Sequence, residues 1–63
     1  MSTYWFEIVG EDSDLCGEKF FVELDSTEEY AIGYAEELFP GEELMYYGKV
    51  SAVEAEMMGL DTY

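Results

Sequence analysis

The side chains able to do chemistry are one thiol, Cys16, and sixteen carboxylates, with no histidine anywhere in the chain. A reactive thiolate needs a nearby cation or a helix N-terminus to lower its pKa. The cations are Lys19 and Lys49 alone, and the formal net charge is −14. Such a field favours the neutral thiol, so Cys16 reads as inert. Between Asp12 and Glu23, acids occupy positions 1, 3 and 12 of a calcium-binding EF-hand loop, with Gly17 at position 6. Cys16 and Lys19 break that pattern, and its flanks read as strands where the motif needs helices. The segment is a polar hairpin loop. One thiol and carboxylates make a poor zinc donor set.

Paired carboxylates are the remaining catalytic option. Glycosidases set two acids across a cleft, and Glu28/Glu29, Glu36/Glu37 and Glu42/Glu43 are adjacent pairs. A domain of 63 residues has little room to enclose a sugar. Acids adjacent in sequence read as a solvated face. The chain is therefore expected to be no enzyme, with no cofactor, no metal and no catalytic residue.

The elements that would position these groups follow from patterning. Tyr4 to Val9 and Lys19 to Leu24 are rich in aromatic and β-branched residues and read as strands joined in a hairpin. Ser26 with Glu29 matches a capping box and announces a helix, whose buried stripe is Ala31, Tyr34, Ala35 and Leu38. Phe39-Pro40-Gly41 ends it. Leu44 to Val50 reads as a third strand. Ser51 with Glu54 is a second capping box, opening a short helix through about Met58, with Gly59 as its terminator.

The order β-β-α-β-α implies a single small α+β domain. A right-handed crossover through the first helix sets strand three parallel to strand two. With strand one between them, the sheet is three-stranded, antiparallel or mixed, in the order 2-1-3. One helix packs on a face and a short helix ends the chain. Phe6, Ile8, Phe20, Val22, Leu24, Leu44, Tyr46 and Val50 are expected to meet the first helix. Trp5, Glu7, Phe21, Glu23, Met45, Tyr47 and Lys49 point the other way. That second face is too apolar to be an ordinary wet one. Either the C-terminal helix covers it, or Trp5, Phe21, Met45 and Tyr47 bury against a copy of the chain or another protein.

Composition bounds the partners. Aromatics at 17% are too dense for a disordered acidic tail, so the chain should fold. A net charge of −14 repels nucleic-acid phosphates and anionic lipid, and attracts basic protein surfaces. No direct nucleic-acid or membrane binding is expected. A lone cysteine, the lack of a basic signal-peptide start and the lack of a long apolar run lead to an expected cytoplasmic location. Two readings of function follow: a protein-binding accessory module, or a DNA-mimicking inhibitor of a nuclease or DNA-binding protein, of the anti-restriction type. In the second, Glu28, Glu29, Glu36, Glu37, Glu42 and Glu43 would imitate phosphates, because acids four apart on a helix lie about 6 Å apart.

Phe39-Pro40-Gly41-Glu42, Tyr47-Gly48-Lys49-Val50-Ser51 and the C-terminal run Glu54 to Tyr63 carry a resemblance. Its most distinctive piece is Met58-Gly59-Leu60-Asp61-Thr62-Tyr63. The chain resembles short acidic uncharacterised proteins of gut Firmicutes, some of them on conjugative elements. The resemblance implies a bacterial cytoplasmic origin and a place in mobile-element biology. It brings no activity and no functional residues.

Overall fold

Aromatic and β-branched residues make a strand of Ser2–Ile8, and this strand, β1, is central to the sheet. The computed structural model describes residues 1–63. Strand β2 (Lys19–Leu24) pairs antiparallel with β1, from Ser2 opposite Leu24 to Glu7 opposite Lys19. Helix α1 (Glu28–Leu38) then crosses to β3 (Leu44–Val50), which pairs antiparallel with the other side of β1. Helix α2 (Ala52–Met58) leads to a short strand, β4 (Asp61–Thr62).

The mixed sheet has four strands in the order β3-β1-β2-β4. The expected order 2-1-3 holds for the first three, but the expectation of a three-stranded sheet is corrected by β4, which lies parallel to β2. A strand of two residues has no alternating run to reveal it. Its place depends on bonds made across space. Tyr63 N–H donates to the Phe21 carbonyl at 2.8 Å, and Glu23 N–H donates to the Tyr63 carbonyl at 3.1 Å. The Tyr63 ring stands edge-on to Phe20 and Phe39, with centroids 5.7 and 5.5 Å away.

Tyr4, Phe6, Ile8, Phe20 and Val22 form the core under α1, closed by Ala31 and Ala35. Two alanines one turn apart let the helix backbone approach the sheet. The expected stripe is corrected at Tyr34, which is 37% exposed, while Ile32 packs on the core beside Leu38. The helix thus turns Ile32, not Tyr34, toward the core. Its N-cap is also one residue later than expected. Thr27, not Ser26, accepts the Tyr30 N–H at 3.3 Å. The Ser26 carbonyl instead accepts the hydroxyl of buried Tyr4 at 2.7 Å. The second capping site is as expected, with Ser51 accepting the Glu54 N–H at 3.1 Å and Gly59 left-handed at φ 64°.

A β-bulge decides which side chains share a face. Phe6 lies opposite Tyr46 while Trp5 lies opposite Gly48, so Tyr47 is an extra residue on β3. Beyond it the alternation is reversed. Lys49 lies opposite Tyr4 on the α1 side and Val50 opposite Thr3 on the other, correcting both expected placements.

The two crossovers run in opposite directions, β2 to β3 and then β3 to β4. Right-handed crossovers of opposite direction put their helices on opposite faces of a sheet. Helix α2 therefore lies on the face away from α1. Burial agrees: Phe21 is 1% exposed yet stands outside the α1 core, and Thr3 is 7% exposed. Ala55, Met58 and Leu60 are the half-buried residues of the covering segment.

Candidate functional site

The second face is partly closed. Phe21, expected as a contact residue, is interior and offers no surface to a partner. Trp5 is half-buried. Met45 and Tyr47 stay open at 47% and 44% exposure. The structure brings Trp5 and Tyr47 together, with ring centroids 4.6 Å apart, and places Met45 opposite Glu7 in the β1–β3 register. Tyr47 donates its hydroxyl to the Glu7 carboxylate. That bond, followed by burial and the Glu7 charge, raises the Tyr47 phenol above its ordinary pKa. The Trp5 indole N–H is enclosed and unpaired. The open remainder is thus a small apolar patch of Met45, Tyr47 and the edge of Trp5, bordered by Glu7. Helix α2 adds exposed Val53 and Met57 to the surface.

The six acids proposed as contacts do not form one band. Glu28, Glu29, Glu36, Glu37 and Glu43 are exposed, and Glu42 is half-buried. Along α1 they fall into two rows. Glu29 and Glu37 flank Gly33 in a groove walled by Tyr30 and Tyr34 on the outer surface. Glu28, Ile32 and Glu36 make the row nearer β3, where Glu36 joins Glu42 at a cavity. Within each row the acids are eight positions apart, about 12 Å at 1.5 Å per residue.

That cavity, between α1 and β3, is lined by Phe6, Ile32, Glu36, Glu42, Leu44 and Tyr46. Tyr46 rests on Phe6 at 5.1 Å and on Tyr4 at 6.3 Å between ring centroids. Its hydroxyl is enclosed beside the Glu28 carboxylate, and Glu42 Oε2 is enclosed without a hydrogen-bond partner. Burial first, then the negative charge of Glu28, pushes the Tyr46 pKa up to about 12. From the sequence Tyr46 counts only as core. The available signal was chemical: a tyrosine facing a core still needs a partner for its hydroxyl.

Cys16 is exposed in the β1–β2 loop. No three side chains of the metal-binding types converge. No helix is long and apolar enough to cross a membrane. No family model matches the chain, and neither a curated protein nor a solved structure matches it.

Proposed function

We propose that this chain is a protein-binding module that docks a basic protein surface on the Tyr47 side of its sheet. The observation that carries the reading is the open Met45–Tyr47 patch on an otherwise covered face, in a chain of net charge −14. An apolar centre with a charged rim is the ordinary anatomy of an interface. The charge speeds encounter with a basic partner and repels a second copy of the chain. A bacterial cytoplasmic setting, with binding rather than catalysis, belongs to the same proposal.

Phosphate mimicry is the weaker reading. It rests on acids four residues apart, and the α1 acids within each row are eight apart. Their separation of about 12 Å is twice what that reading requires.

The test is affinity capture at low salt, followed by calorimetry of the purified partner with wild type and a Met45→Ala/Tyr47→Ala variant. Binding weakened by about tenfold or more in the variant, with helix and sheet content unchanged, is the expected result. Equal affinity removes the reading. Binding abolished by high salt, indifferent to the double variant and competitive with DNA would restore mimicry.

A further inference from the structure

The outer surface of α1 breaks two rules of its own element. Gly33 stands in mid-helix, although glycine is the poorest helix former after proline. The fold makes no demand for it. Its φ is not positive, and a Cβ built there would meet nothing within 4 Å beyond the helix itself. Glu36 and Glu37 occupy the last turn, where the helix dipole favours cations, and α1 carries no lysine or arginine. Local choices that conflict with their own element gather at functional sites.

The same surface holds exposed aromatic rings. Tyr30 is 63% exposed and Tyr34 37%, and they wall the groove in which Glu29 and Glu37 flank Gly33. Glu29, Gly33 and Glu37 form one i±4 row, so Gly33 is a gap in a ridge of the helix surface. Helices pack by fitting the ridges of one into the grooves of the other. A backbone without a side chain admits a close approach at that point. The flanking groups define what approaches. Two carboxylates with no cation on α1 to pair them select positive charge. The tyrosine rings add a surface on which a guanidinium can stack while its fork meets a carboxylate. The net charge of −14 makes a second copy of the chain an unfavourable occupant.

We propose that the outer face of α1 docks an arginine-bearing helix of a partner protein, which crosses α1 at Gly33. Arginines one turn either side of the crossing pair with Glu29 and Glu37 and stack on Tyr30 and Tyr34. This face lies on the opposite side of the sheet from Met45 and Tyr47, and does not depend on that patch.

The test is an NMR titration of the full chain at constant ionic strength. The probe is a capped, alanine-rich helical peptide with arginines four residues before and after a central alanine. A peptide of the same composition with its arginines on opposite faces is the control. Saturable shifts centred on Glu29 to Glu37 are expected, with the control bound about fivefold more weakly. Gly33→Leu and Tyr30→Ala keep the net charge and should each weaken binding by about fivefold or more, while Met45→Ala should not. Gly33→Ala should raise the urea midpoint, since alanine is the better helix former, and would show that the glycine serves a contact and not the fold. Three results would overturn the proposal: equal affinity for the two peptides, unchanged affinity in both charge-preserving variants, or a lower urea midpoint for Gly33→Ala. Dimerisation of the wild type that Gly33→Leu abolishes would give the face to a second copy, and would overturn it too.

Discussion

The rings of Trp5 and Tyr47 lie 4.6 Å apart at an interplanar angle of 34°, at the point where β1 and β3 slip register. The bulge makes this contact. With Tyr47 as the extra residue, Gly48 falls opposite Trp5 and leaves the space above the indole to the neighbouring phenol. Gly48 also has φ 129°, a conformation that glycine adopts without strain. On an edge strand such a bulge discourages pairing with another sheet.

Tyr47 shields Trp5 by its ring, while its hydroxyl serves Glu7. Tyr47→Ala should move Trp5 fluorescence to longer wavelength by admitting water to the indole. Tyr47→Phe keeps the ring and should leave the emission in place. Identical emission in wild type and Tyr47→Ala would show that the stack does not shelter Trp5.

Phe21 and Met45 share a face but differ in burial, at 1% and 47% exposure. Phe21→Ala should cost about 3–5 kcal/mol in urea unfolding, which threatens folding outright in so small a domain. Met45→Ala should change stability by no more than about 0.5 kcal/mol. A similar loss in both variants would mean that α2 does not enclose Phe21.

Helix α2 has only seven residues, so its ends matter more than its propensity. Ser51→Ala removes the acceptor for the Glu54 N–H and should cost about 1 kcal/mol. Gly59→Ala forces an L-residue to φ 64° and should cost about 1–2 kcal/mol. Hydrogen exchange should quicken first at the β2–β4 pairing, in particular at Tyr63 N–H, whose acceptor is the Phe21 carbonyl. Unchanged protection there in both variants would separate α2 from the anchoring of β4.

Tyr46 ties stability to alkaline pH. Its pKa rises from an ordinary 10.0 to about 12 on folding, chiefly through burial and then through Glu28. Folding thus favours the protonated phenol. That contribution is complete below pH 10 and is lost as pH climbs from 10 to about 12. The stability of wild type relative to Tyr46→Phe should fall across this window. Glu28→Gln should let one phenol ionise earlier by tyrosinate absorbance, though only in part, because burial remains. A difference that is flat with pH would contradict the assignment.

The local parts of this fold were legible in the sequence. Lys19–Leu24, Leu44–Val50 and the helix ending at Met58 are marked by runs of aromatic, aliphatic and β-branched residues, by Ser51 and by Gly59, and these signals lie within a few residues of what they specify. The central place of β1 followed from the handedness of one crossover. Charge, too, is a property of composition, and the proposal of a basic partner needed no coordinates. The cap at Thr27 escaped because Ser26 and Thr27 are both competent acceptors, and only the path into α1 chooses between them.

Everything that depends on residues distant in sequence was left to the tertiary structure. Strand β4 exists because α2 returns the chain to β2, not because Asp61 and Thr62 favour extension. One extra residue at Tyr47 reverses the faces of Lys49 and Val50, since side chains alternate strictly along a strand. Phe21 and Met45 look alike as apolar positions on one face, and only α2 on that face separates core from surface. Tyr46 and Glu42 line one cavity with Glu36 only because α1 packs beside β3. Sequence determined which segments extend, which coil and what charge they carry, because those are local or additive properties. Which groups lose contact with water, and in whose company, was decided by packing, because burial is a property of neighbours that the chain brings together only on folding.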